Sequence, residues 1–332
     1  MASGTTEQRL QNLEQVLQKI AVLTAQFGTS TNKVQQPQAV TTTTSAGTDE
    51  IESYFAQGGA SLLEGAVSLA AAASAFTIEV RFLGGLTQTQ KDAFRSAADR
   101  WTRVIVGALP GVQVDGELIR GVLILAQGAD IDGPGRVLGQ AGPTRLRPAN
   151  AGAAAFIPAK GEMTFDAADL QSMEQRGTLN DVITHEMGHV LGIGTIWSQK
   201  RVLKGAGTSN PTFTGAGAMR EYGTLRGTSP TAVPVENTGG PGTANSHWRD
   251  TVFGNELMTG FVGAAGNPLS QLTVASLADL GYGVDLSAAE PYNLPDLLMM
   301  AEAGQFAAAE SEQDLGVVLP HLPIVLPATS LR

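Results

Sequence analysis

Asn180-Asp181-Val182-Ile183-Thr184-His185-Glu186-Met187-Gly188-His189-Val190-Leu191-Gly192 is the stretch on which the reading of this chain turns. Its polar start and glycine end predict a helix capped at Asn180 or Asp181 and closed at Gly192, where a left-handed exit suits glycine. His185 and His189 stand at i and i+4, about 40° apart around such a helix and about 6 Å along it, so both imidazoles can reach one cation. Glu186 lies beside them, placed to contact the cation's bound water rather than the cation. His-Glu-x-x-His on a helix is the arrangement of a zinc hydrolase. The alternative is a pair of core histidines satisfied by carbonyls, with Glu186 a solvated neighbour.

Catalytic zinc takes three protein ligands and keeps a fourth position open for water, so a third donor is required. The chain has 4 histidines and no cysteine. The donor is therefore His247, His321 or a carboxylate. His321 sits in Leu319-Pro320-His321-Leu322-Pro323, which reads as extended and peripheral. His247 sits in Asn245-Ser246-His247-Trp248-Arg249, shortly before Phe253-Gly254-Asn255-Glu256-Leu257-Met258-Thr259-Gly260.

Taken in order, His185-Glu186-Met187-Gly188-His189-Val190-Leu191-Gly192, a long insertion, His247-Trp248 and Asn255-Glu256-Leu257-Met258 resemble the leishmanolysin branch of the metzincin metallopeptidases. In that branch an inserted stretch displaces the third histidine, here 58 residues beyond His189, and a methionine turn follows. The resemblance spans about residues 77–285. It implies one zinc held by His185, His189 and His247, with Glu186 as general base on the metal-bound water. It also implies Met258 as an apolar floor under the metal and Gly192 as the turn that lets the chain leave the helix. Neutral imidazoles leave the cation's charge unquenched, which is what lowers the pKa of bound water. The fold class expected is α+β: a metzincin-like domain with a twisted mixed sheet, an active-site helix, a mainly irregular or helical C-terminal subdomain and an N-terminal helical extension.

Around that centre, 332 residues suffice for one large domain with appendages, or two. Only 16% are charged and 40 are glycine, which predicts many glycine-rich loops. The net charge of -10 has the wrong sign for gathering phosphates, so nucleic acid is not an expected partner. No stretch is apolar and long enough to be read as a transmembrane helix, and residues 1–20 mix charges among apolar positions, unlike a signal peptide. Leishmanolysins are generally secreted or surface-bound, rich in disulfides and held latent by a pro-segment cysteine, so an extracellular or cell-surface site is the family's expectation. Without cysteine, a cysteine switch cannot operate here.

Four segments are expected. Residues 1–28 carry Leu10, Leu13, Leu17 and Ile20 at helical spacing, a stripe for self-association or for docking on the chain's own domain. Residues 29–75 read as a linker followed by an Ala-rich, partly helical stretch that could serve as a pro-segment. Residues 76–285 form the metallopeptidase domain: strands at 77–82, 121–125 and 161–165, a helix from about 88 to 106, and a Gly- and Pro-rich loop between the second and third strands. Residues 286–332 are a tail without recognisable chemistry.

Asp130-Ile131-Asp132-Gly133-Pro134-Gly135, with Asp166, resembles a structural calcium loop of matrix metalloproteinases; the other reading is an Asp-Gly turn. Gln140 stands where those enzymes offer a histidine. The strand at 161–165 is either the edge on which substrate adds as a further strand or an interior strand. For the whole chain, the leading expectation is a zinc endopeptidase acting on proteins or peptides. The alternative is a zinc-containing adhesion or binding module on a protease-like scaffold.

Overall fold

A computed structural model of the chain describes residues 51–57, 75–135, 137–240, 242–260, 266–295 and 317–332. The expected helix at 6–27 and the linker at 29–48 lie outside these residues. Within Ser53–Arg332, one compact unit, the elements run β1 (Glu52–Gln57), β2 (Thr77–Gly84), α1 (Gln88–Val104), β3 (Val112–Val114), β4 (Glu117–Ile119), β5 (Val122–Ala129), β6 (Val137–Leu146), β7 (Pro158–Asp166), α2 (Ala167–Arg176) and α3 (Leu179–Val190). Next come β8 (Leu203–Lys204), β9 (Thr212–Phe213), α4 (Ala216–Arg226), β10 (Val233–Pro234), α5 (Asp250–Phe253), α6 (Gln271–Leu280), β11 (Val317–Pro320) and β12 (Ile324–Val325). Among the described residues no helix is long and apolar enough to cross a membrane.

The fold is α+β on a mixed sheet ordered β1-β2-β5-β7-β6-β11, with β12 also on β6. β2, β5 and β7 are parallel, β6 runs antiparallel to β7, and β11 and β12 run parallel to β6. β2 alternates in burial, turning Ile78, Val80 and Phe82 toward α1. α1 starts in a capping box in which Thr87 and Gln90 satisfy each other's amides, at 2.9 and 3.3 Å, and buries Phe94, Ala97, Ala98 and Trp101. The Trp101 indole donates to the Thr184 carbonyl at 2.9 Å, fixing α1 against α3. On the opposite face Leu123 and Ala159 pack with Val112, Val114 and Ile119 of the β3–β4 hairpin and with Leu326 and Leu331 of the C-terminus.

Several expectations are corrected. Glu52–Gln57, at the start of the stretch read as partly helical, form strand β1, and residues 58–74 of that stretch lie outside the described residues. The strand at 161–165 is interior, lying within β7 between β5 and β6. Outside it, where a loop was expected, stands the ten-residue β6. Its Gly139 faces the β7 backbone so closely that a Cβ would lie 2.2 Å from the Thr164 oxygen, and its register slips around Pro143 and Arg145, where proline offers no amide. Finally, the C-terminal tail is part of the sheet, supplying β11 and β12.

Candidate metal centre

The cap position of α3 is Thr178 rather than Asn180 or Asp181. The Asp181 carboxylate is drawn away from the helix end, accepting from the Gly266 amide at 2.6 Å and the Asn267 side chain at 3.1 Å. At the other end Gly192 adopts φ +110° and Gly194 φ +74°, values that suit glycine. This turn brings the Ile193 carbonyl back to His189 Nδ1 at 2.9 Å. The Tyr282 hydroxyl and Thr195 hydroxyl donate to the carbonyls of Leu191 and His189 at 2.8 and 2.7 Å, satisfying the helix's last acceptors.

His185, His189 and His247 come together and are all buried. Their Nε2 atoms lie 3.0 Å (His189 to His185), 3.1 Å (His185 to His247) and 2.9 Å (His189 to His247) apart. The opposite nitrogen of each ring meets a backbone carbonyl: Leu257 at 2.6 Å for His185, Ile193 for His189, and Thr243 at 2.9 Å for His247. A carbonyl only accepts, so every Nδ1 carries the proton and every Nε2 presents a lone pair. Three lone pairs converging at about 3 Å repel one another unless a cation stands among them, and neutral imidazole with a carbonyl behind it is the usual metal donor. Burial, reinforced by the neighbouring rings, lowers His185 to a pKa of about 3 and His247 well below its ordinary value; burial lowers His189 to about 4. All three are therefore neutral at neutral pH. The donor set fits a divalent metal of zinc's kind.

Glu186 is 6% exposed and faces the same cleft. Its Oε2 is buried without a hydrogen-bond partner, and burial pushes the carboxyl up to about 8. Met258 is fully buried beneath the helix: a Cβ on Gly188, between the two helical ligands, would lie 2.7 Å from its sulfur.

The His247 segment is held from both sides. The Trp248 amide donates to the Met258 carbonyl at 2.9 Å, and the Glu236 amide donates to the His247 carbonyl at the same distance. The Trp248 ring stacks on Trp197 with centroids 4.9 Å apart and meets Phe213 edge-on at 5.4 Å. Its indole donates to Thr273 Oγ1 at 2.8 Å, and Thr273 and Ser270 in turn donate to Glu256. Glu256, fully buried, also receives the Met258 amide at 2.7 Å. One acid therefore ties the methionine turn, the start of α6 and, through Thr273, the Trp248 ring into a unit. Glu236 does similar work, accepting from the amides of Asn237, Thr238 and Asp250. Neither acid was singled out from sequence; the signal was a glutamate inside an otherwise apolar stretch, Asn255-Glu256-Leu257-Met258.

Gly194 sets how closely this segment approaches the helix exit. A Cβ there would lie 2.1 Å from the Ser246 carbonyl oxygen, next to His247. Gly194→Ala is expected to cost about 2–3 kcal/mol of stability and to weaken metal binding. Gly177→Ala is the control, since Gly177 has the same φ of +74° with nothing within 4 Å; it should cost about 1 kcal/mol and leave metal binding intact. Urea unfolding with a zinc titration reads both, and equal metal affinity in the two variants would dissociate Gly194 from the His247 position.

The calcium reading fares differently. Asp130, Asp132 and Asp166 do not come together as a carboxylate cluster among the described residues. Asp166 receives the amides of Ile131, Asp132 and Gly133 at 2.8–3.1 Å and that of Ala168 at 2.9 Å, which caps α2 and clamps the turn. His321 is not among the grouped ligands, but it lines the cleft that contains them; the tail is extended, as expected, and not peripheral.

No curated protein matches the chain. Residues 154–295, which contain α3, His247 and Met258, match the family model of leishmanolysin. Over the region that builds this centre the chain is thus similar to leishmanolysin, a metallopeptidase family.

Proposed function

We propose that the protein is a zinc-dependent endopeptidase on a metzincin-type domain, with His185, His189 and His247 as ligands and Glu186 as general base. The observation that carries this is the convergence of three imidazole lone pairs beside one buried, unpartnered carboxylate oxygen. The Nε2 atoms of the three histidines would hold the ion, and zinc bound there supplies a Lewis acid that polarises a carbonyl and lowers the pKa of water. Glu186 takes the proton of the attacking water at Oε2 and gives it to the departing amine nitrogen. The cleft above, about 670 Å³, is lined by residues of α3, the His247 segment and β6, room for a stretch of polypeptide substrate. An adhesion module with structural zinc would leave the buried Glu186 oxygen without a use.

Purified protein is expected to carry about one zinc per chain. Dialysis against a chelator should abolish cleavage of an unfolded protein substrate and lower the melting temperature, and zinc should restore both. Undiminished cleavage by metal-free protein would overturn the assignment.

A further inference from the structure

The outer edge of β6 is the place where an extended polypeptide passing the three histidines would add to the sheet. β6 is the last strand of the main body on the cleft side, and its Leu138 and Ala141 line the cleft together with His185 and Glu186. Main-chain addition to such an edge is a general mode of peptide binding. In this structure the edge is taken. β11 pairs with β6 from Val137 to Ala141 and β12 pairs with Arg145 and Leu146, so the chain's own C-terminal segment runs along most of the strand. Between the two pairings, His321, Leu322 and Pro323 reach into the cleft wall.

We propose that residues 317–323 are a resident strand that covers the substrate edge of β6, and that an extended polypeptide substrate binds by displacing them. This rests on the endopeptidase assignment for the identity of the incoming chain. Three further features support it. Pro320, Pro323 and Pro327 lack amide donors, so the outer side of the added strand cannot readily template a second one, and a substrate cannot simply stack outside it. The covering segment has few side-chain anchors: Leu319 is buried and the Gln140 amide donates to the Pro320 carbonyl at 3.5 Å, while Leu322 is 94% exposed and His321 Nε2 is shielded from water without a partner. The last residues of the chain are firmly anchored, with the Leu326 amide on the Leu146 carbonyl at 2.9 Å, the Arg332 amide on the Gly111 carbonyl at 2.8 Å, and Leu326 and Leu331 packed on the apolar cluster of the far face. Residues 317–323 can therefore leave the edge while the terminus stays in place, exchanging their own main-chain hydrogen bonds for those of the substrate.

The chain contains no cysteine, so a single introduced pair has one way to close. Gln140 and Leu319 are register partners, and neighbouring strands lie about 4.8 Å apart, within disulfide reach. In the double variant Gln140→Cys/Leu319→Cys, oxidation locks the strand on β6 and a phosphine reductant frees it. Binding is measured in a Glu186→Gln background, by anisotropy of a fluorescein-labelled, carboxymethylated unfolded protein, so that it does not depend on turnover. The reduced form is expected to bind at least about tenfold more tightly than the oxidised form, and the corresponding Glu186 protein to cleave that substrate faster by a similar factor once reduced. Equal binding in both redox states, or none in either, would overturn the proposal. Redox-dependent binding without cleavage in either state would uphold the covered edge and refute the peptidase assignment instead.

Discussion

Glu186→Gln is expected to retain about one zinc per chain and to lose activity on protein substrates by about 10²–10⁴-fold in kcat, the usual contribution of a positioned acid–base group. Glutamine has the shape of the carboxylate it replaces and fits the same buried slot, so neither the fold nor the three imidazoles should respond. What changes is proton affinity. Burial holds the Glu186 carboxyl at about 8 in the bare cleft, and its Oε2 has no donor to hold it ionised. A divalent cation on the three imidazoles would favour the ionised form, which can take a proton from water; an amide cannot. Because Glu186 is assigned to proton transfer rather than to holding the peptide, the loss should fall on kcat with KM little altered. A variant that retains metal and full activity would remove Glu186 from the chemistry; one that loses the metal would make it part of the ion's support.

The parts of the fold that were legible in sequence are those whose physical cause is local. α1 announces itself through an apolar face at helical spacing, β2 through alternation, and α3 through two histidines that only a helix brings to one side. β6 escaped because its residues do not look like a strand. Gly139 is required by a neighbouring backbone rather than by its own conformation, and Pro143 is tolerated where the register slips. Neither cause is visible without β7. The same holds for Asp181, a good cap by type, whose carboxylate is claimed by Asn267 and Arg100 from distant parts of the chain. In the site, the three grouped histidines were readable and the groups behind them were not. Leu257, Ile193 and Thr243 act through backbone carbonyls, which every residue possesses, so no side-chain pattern marks them. His321 was misplaced for a related reason: a proline-flanked histidine reads as periphery until the strand it pairs with is known.

His247→Ala is expected to lower zinc affinity by about 10²–10⁴-fold, taking a third of the roughly 10–16 kcal/mol that structural zinc sites supply as the scale of one ligand. The stability of the metal-free protein should respond less than it does to an ordinary core deletion. Truncating a buried side chain normally costs about 2–5 kcal/mol. Here, however, the deleted ring removes one of three lone pairs held at 2.9–3.1 Å, relieving a repulsion that the bare site must bear. The anchoring of this segment depends on the adjacent Trp248 ring and the backbone bonds to Met258 and Glu236, all of which remain. Metal-free His247→Ala should therefore unfold within about 1–2 kcal/mol of the metal-free parent, below that core-deletion range. The zinc-dependent rise in melting temperature, large in the parent because only the folded chain presents the site, should nearly vanish. Competition against a chromophoric chelator gives the affinity, and urea unfolding with and without zinc gives the two stabilities. A variant that kept the parent's zinc-dependent stabilisation would place the third ligand elsewhere, whereas a large loss already present without metal would mean that the ring serves packing first and coordination second.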